Sequence, residues 1–140
     1  MTPVWFVDTN VLLDFLVERQ PFFAAADAVF EAASQGRMRI IVTITSLSTA
    51  YYVHCRTIRS APSAIESMRR LSTLVAIAPA TDAIVAAALA AGWPDFEDAL
   101  QYFAARAVPN VTAIITRDPA GFARGALPVL SPAAALALLA

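Results

Sequence analysis

The stretch Val4-Trp5-Phe6-Val7-Asp8-Thr9-Asn10-Val11-Leu12-Leu13-Asp14-Phe15-Leu16 decides how the chain reads. Val4 to Val7 is a short, wholly apolar run of β-branched and aromatic residues, the pattern of a strand covered on both faces. It breaks off at Asp8-Thr9-Asn10, and Val11 to Leu16 then reads as a short helix that Pro21 limits. A carboxylate therefore stands where a buried strand ends.

The same grammar recurs further along. Arg39 to Ile44 reads as a second strand, Leu74 to Ala78 as a weaker third, Val111 to Ile115 as a fourth and Leu127 to Leu130 as a short last one. Helical patterns lie between them. Phe22 to Ser34 puts Phe22, Phe23, Ala26, Val29, Phe30 and Ala33 on one face. Ser46 and Ser48 offer N-caps for a helix towards Ile58, and Pro62 to Leu71 follows with Ile65 and Met68 inward and Arg69-Arg70 outward. Thr81 caps an Ala-rich helix to Ala91, Asp95 opens one to about Val108, and Ser131-Pro132 caps the last. Strands alternating with helices predict an α/β fold around a mostly parallel sheet of four to five strands.

Composition makes the acids conspicuous. The chain has 140 residues, 59% of them hydrophobic and 15% charged, which predicts one domain over residues 1–140 with a single sizeable core. Five of its eleven acids (Asp8, Asp95, Glu97, Asp98 and Asp118) fall at the ends of strands or the starts of helices. All ten basic residues are Arg, so no mechanism that requires a lysine is available. A net charge of −1 supplies no broad basic footprint for nucleic acid, so a polyanion must be gripped locally. The lone Cys55 cannot form an internal disulfide and predicts a reducing, cytoplasmic setting. No signal peptide is visible, and the longest apolar run, Ile84 to Ala91, is too short to span a bilayer.

In a parallel sheet, ligands bind beyond the carboxyl ends of the strands, near the point where strand order reverses. Asp8 and Asp118 follow two of the strongest strands, and Asp98 lies in the first turn of the helix before the fourth. If the first and fourth strands are neighbours, all three can converge on one ion. Mg2+ takes oxygen ligands and keeps several waters, the recurrent device for phosphodiester hydrolysis.

Each residue also has a plainer explanation. Asp8-Thr9-Asn10 could be an Asx turn capping the next helix. Asp95 with Asp98 resembles a capping box, and Glu97 suits the positive end of a helix. Thr116-Arg117-Asp118-Pro119 could be a surface turn. His54, mid-helix beside Cys55 with no carboxylate at hydrogen-bonding spacing, reads as a structural histidine. Trp93 and the Tyr51-Tyr52 pair could stack on bases, but aromatic residues at helical spacing more often fill a core. The coincidence of the acids, in order, is what favours a site.

Three segments together carry a family resemblance: Phe6 to Asp14, then Asp95-Phe96-Glu97-Asp98-Ala99-Leu100-Gln101, then Ile115-Thr116-Arg117-Asp118-Pro119 with Phe122. In this order they resemble the PIN domain family, small Mg2+- or Mn2+-dependent ribonucleases that include the toxins of bacterial toxin–antitoxin pairs. The resemblance implies a three-layer α/β/α sandwich, with Asp8, Asp98 and Asp118 on the metal-binding acids and Asn10 and Thr116 on supporting polar positions. It also implies an RNA substrate, a cognate antitoxin protein and a homodimer.

One position departs from the family. Its glutamate early in the helix after the second strand corresponds to Thr49, aligned through Tyr51-Tyr52. The site is then one negative charge short, with Asp95 or Glu97 as candidates to compensate. Arg117, Arg56 and Arg59 are the candidate substrate contacts, with solvated faces as the plainer alternative. The missing glutamate motivates a second possibility, an inert PIN-like domain that binds RNA or protein. An Asp-Thr after a first strand also occurs in haloacid-dehalogenase-like phosphatases and response receivers. Those normally use a lysine, and the phosphatases a second acid where Asn10 stands.

Overall fold

A computed structural model describes residues 2–140. Five strands form one sheet: β1 (Val4–Val7), β2 (Arg39–Val42), β3 (Val75–Ile77), β4 (Val111–Ile115) and β5 (Val129–Leu130). Their order is β3-β2-β1-β4-β5, and every pairing is parallel. The helices are α1 (Thr9–Leu16), α2 (Phe23–Ser34), α3 (Ile44–Ile58), α4 (Ala61–Ser72), α5 (Asp82–Ala91), α6 (Phe96–Arg106) and α7 (Pro132–Ala137), with a 3-10 turn at Pro119–Phe122.

β1 is buried at all four positions, and its side chains alternate between two cores. Trp5 and Val7 join Val11, Leu12, Val29, Phe30, Ala50 and Leu71, contributed by α1 to α4. Val4 and Phe6 join Tyr102, Ala104 and Ala105 of α6 and Phe122 of the 3-10 turn. Helices thus cover both faces, giving the α/β/α layering expected. Full burial of a side chain such as Phe6 is worth about 1.5–3 kcal/mol, so the middle strand anchors both halves.

Several boundaries differ from the sequence expectation. β2 ends at Val42 because Thr43 leaves the strand as the N-cap of α3, accepting a hydrogen bond from the Ser46 amide at 3.1 Å. Ser46 and Ser48 are therefore helical residues and not caps. β5 is two residues long, shorter than Leu127 to Leu130. Phe22 caps α2 and is exposed, whereas Ala26, Val29 and Phe30 form the inward face as expected. Ile65 is exposed, so the inward face of α4 is carried by Ala64 and Leu71. The N-caps at Thr81, Asp95 and Ser131 stand as read. Among the described residues, no helix is long and apolar enough to cross a membrane.

The topology sets the site. From β1 the chain moves to β2 and β3 on one side, then crosses to β4 and β5 on the other. Strand order reverses between β1 and β4, and in parallel sheets the crevice that takes ligands lies beyond the strand ends at that point. Val7 pairs with Ile115, so the residues that follow these two strands emerge side by side.

Candidate active site

Asp8 is the first residue past β1 and the N-cap of α1, and its amide bonds the Ile115 carbonyl at 3.0 Å. Its carboxylate is nearly buried, and both of its oxygens accept hydrogen bonds. Oδ1 accepts from the Thr9 amide at 2.7 Å and from Gln101 Nε2 at 2.8 Å, and Oδ2 accepts from the Thr116 hydroxyl at 2.7 Å. Burial pushes its pKa up, these three bonds pull it down, and the Asp118 charge adds to the rise. The capping expected at Asp8 is real, and it leaves the carboxylate facing the crevice.

Thr116, not Asp118, is the residue level with Asp8, because β4 ends at Ile115. The Thr116 oxygen also accepts from the Asp118 amide at 2.9 Å and from Asn10 Nδ2 at 3.3 Å. Asn10 Oδ1 in turn takes the Arg117 amide at 3.4 Å. Asn10 and Thr116 thus tie the end of β4 to the start of α1.

Asp98 arrives from the opposite helical layer. Asp95 caps α6 by accepting from the Asp98 amide at 2.9 Å, which places Asp98 in the first turn. Its carboxylate lies over Gly121: a Cβ built there would stand 2.6 Å from Asp98 Oδ2 and 3.6 Å from Asp118 Oδ2. The two acids therefore flank one point, and only a residue without a side chain leaves that point open. Desolvation raises the Asp98 pKa from 3.8 to about 6, helped by the charges of Asp95, Asp8, Asp118 and Glu97.

Three participants had no site role in the sequence reading. Gln101 stands one turn beyond Asp98 on α6 and holds Asp8, and that i,i+3 spacing was the available signal. Thr9 and Ser46 share a hydroxyl contact of 2.6 Å, and Ser46 continues to Thr43 at 2.9 Å and Thr43 to Thr45 at 3.0 Å. Glu97 reaches the same cluster, accepting from the Thr9 hydroxyl at 3.4 Å. Nothing in the sequence announced that contact, because it joins residues 88 apart.

Other candidates fall elsewhere. Thr49 is exposed and enters none of these hydrogen bonds; Ser46, one turn earlier, faces Thr9 instead. Arg117 is not a free phosphate contact, because its guanidinium binds Asp14 and lies over the Phe22 ring. Arg56 stacks on Tyr52, and Arg59 caps the C-terminus of α3 in the left-handed region. At about 1.5 Å per helical residue, both lie roughly 20 Å along α3 from the site end. Trp93 joins Tyr102, Phe103 and Phe122 in an aromatic cluster, as a core residue should. His54 bonds Ser67 through Nε2, and among the described residues its buried Nδ1 has no partner.

Among the described residues, no group of three or more His, Cys, Asp or Glu stands close enough to hold a metal ion as arranged. The donors still suit a hard cation. They are carboxylate oxygens, desolvation and then the like charges around it raise Asp98, and Gly121 keeps space beside two of them.

Comparison with known protein families identifies the chain. The family model of the PIN domain covers residues 5–120, a span that holds Asp8, Asp98 and Asp118 and stops one residue short of Gly121. No curated protein matches the chain.

Proposed function

The chain belongs to the PIN domain family, and from that premise we propose that it is a divalent-metal-dependent ribonuclease that hydrolyses RNA phosphodiesters. Asp8, Asp98 and Asp118 would hold Mg2+ or Mn2+. When bound, the ion neutralises charge on the phosphate and makes water a better nucleophile near neutral pH. The single observation that carries the proposal is the pairing of Asp98 and Asp118 over Gly121, beside a buried Asp8 whose pKa is raised.

The chain's own residues have distinct parts. Gln101, Thr116 and the Thr9 amide fix the orientation of Asp8 and offset part of the burial that raises its pKa. Asn10 locks the segment that carries Asp118. Glu97, through Thr9, brings a carboxylate to the hydroxyl cluster at the start of α3, the helix in which the family has its glutamate. We assign the residual charge of the site to Glu97, with Asp95 acting as the cap that aims Asp98.

The family's toxin members make a toxin role, a cognate antitoxin, a homodimer and a cytoplasmic setting the natural extensions. Exposed Ile44, Val85, Leu89 and Phe96 provide apolar surface for such a partner. The decisive experiment is cleavage of a mixed RNA substrate with Mn2+: Asp8→Asn should abolish it, and undiminished cleavage by that variant would reject the assignment.

A second reading has its own support. The missing glutamate, and the lack of a closed three-ligand cluster among the described residues, favour a weak or inert domain that binds RNA or protein without cutting. Calorimetric titration separates the two, since an inert domain shows no heat of binding at millimolar Mg2+ or Mn2+.

A further inference from the structure

Arg117 stands between two residues of the crevice, yet its guanidinium is turned away onto a carboxylate that the site does not use. Asp14 lies one turn beyond Asn10 on α1 and is 1% exposed. Arg117 binds it with two prongs, Nε to Oδ2 at 2.5 Å and Nη2 to Oδ1 at 3.1 Å. A planar fork meeting a carboxylate edge in this way fixes direction as well as distance. The guanidinium carbon also lies 3.7 Å from the centre of the Phe22 ring, so the plane is held on its face too. Asp14 buried without this partner would be an uncompensated charge, so the pair must form for α1 to pack as it does.

The backbone follows from these contacts. Asn10 and Asp14, four residues apart, share one face of α1, and that face takes the Arg117 amide and the Arg117 side chain respectively. Thr116, immediately before, is fastened to Asp8, and the Asp118 amide, immediately after, to Thr116. Every residue of 116–118 is thereby anchored. Among the described residues, the Asp118 carboxylate alone in this segment accepts no hydrogen bond, and it is exposed beside Asp98.

We propose that Asp14, Arg117 and Phe22 form a positioning clamp that presents the Asp118 carboxylate to the crevice and so sets its divalent-cation affinity. The clamp rests on the metal-centre reading above but assigns residues that lie outside the cluster of acids. Arg117 is here a positioning residue, touching neither the ion nor the substrate.

The test is Mn2+ calorimetry on the full chain. The double variant Asp14→Asn with Arg117→Gln removes both charges, leaving none buried alone. It should fold, and should bind Mn2+ about tenfold to a hundredfold more weakly, the usual cost of losing outer support of a metal ligand. Arg117→Lys keeps the charge without the fork or the stacking face, and should recover only part of that loss. If the double variant does not fold, Arg117→Lys carries the test alone. An affinity equal to that of the unmodified chain in whichever folded variant is measured overturns the clamp, even if its melting temperature falls. Failure of the unmodified chain to bind Mn2+ overturns the metal centre itself, and the clamp with it, which is a separable result. A shift of the Asp118 amide resonance in the folded variant, with resonances of α5 unmoved, is the accompanying sign of a displaced segment.

Discussion

Asp8 answers two demands at once. As N-cap it must accept from the Thr9 amide, and as a nearly buried carboxylate it must offset a desolvation that raises its pKa. Gln101 and Thr116 reconcile the two by donating to its two oxygens. Gly121 has the complementary part, because its missing side chain is the space between Asp98 and Asp118. Gly121→Ala would drive a methyl into the flexible end of Asp98. It should leave melting within about 1 kcal/mol of the unmodified chain and weaken Mn2+ binding about tenfold or more, as read by thermal unfolding and calorimetry.

The raised Asp98 pKa yields a second residue-level prediction. Its folded value of about 6 lies above the ordinary 3.8, so through that window the folded chain keeps a proton the unfolded chain has released. Without metal, raising the pH from about 4 to 6 therefore removes stability, modestly because Asp98 is partly solvated. A cation competes with the same proton. Mn2+ affinity should climb by up to about tenfold per pH unit below pH 6 and level off above it. Flat affinity across that range, measured by calorimetry, would remove Asp98 from the ligand set.

Among the elements, α3 shows how one cap can serve two ends. Thr43 stops β2, starts α3 and holds Ser46, which in turn meets Thr9. Thr43→Ala should cost about 1 kcal/mol in chemical denaturation for the lost cap. It should also loosen the hydroxyl cluster that Glu97 approaches, so cleavage should fall by more than stability alone would explain. The apolar and β-branched run continues past Val42, so by sequence alone β2 extends to Ile44. Only the side-chain bond of Thr43 to the Ser46 amide ends it earlier. Segments with strong local signals were legible: β1, the caps at Thr81, Asp95 and Ser131, and the inward face of α2 at Ala26, Val29 and Phe30. The tie of Arg117 to Asp14 was not legible, because its partner is 103 residues away and a lone arginine carries no local mark of being tied down.

At the scale of the molecule, the all-parallel order β3-β2-β1-β4-β5 brings the ends of β1 and β4, followed by Asp8 and Asp118, to one switch point, and α6 sets Asp98 within reach of their charges. Three like charges drawn together by topology are a strain that a cation relieves. Mn2+ should therefore stabilise the whole chain, by about 2.7 kcal/mol at a free concentration about a hundred times Kd. Thermal melts with and without Mn2+ check this, and Asp8→Asn should show a much smaller rise. With a net charge of −1 and ten scattered arginines, RNA affinity should depend on salt with a shallow slope.

The amino-acid sequence by itself determined the strand and helix alternation and the order of the acids, and with them the family. These are local matters: apolar runs, caps and a motif within seven residues at Asp95 to Gln101. Tertiary structure alone decided that Gln101 and Thr116 hold Asp8, that Ser46 and not Thr49 faces Thr9, and that Arg117 serves Asp14. Those outcomes depend on which strands become neighbours and on which side chains burial forces to find a partner. Such pairings are made across the sheet by packing and desolvation, and no spacing along the chain encodes them.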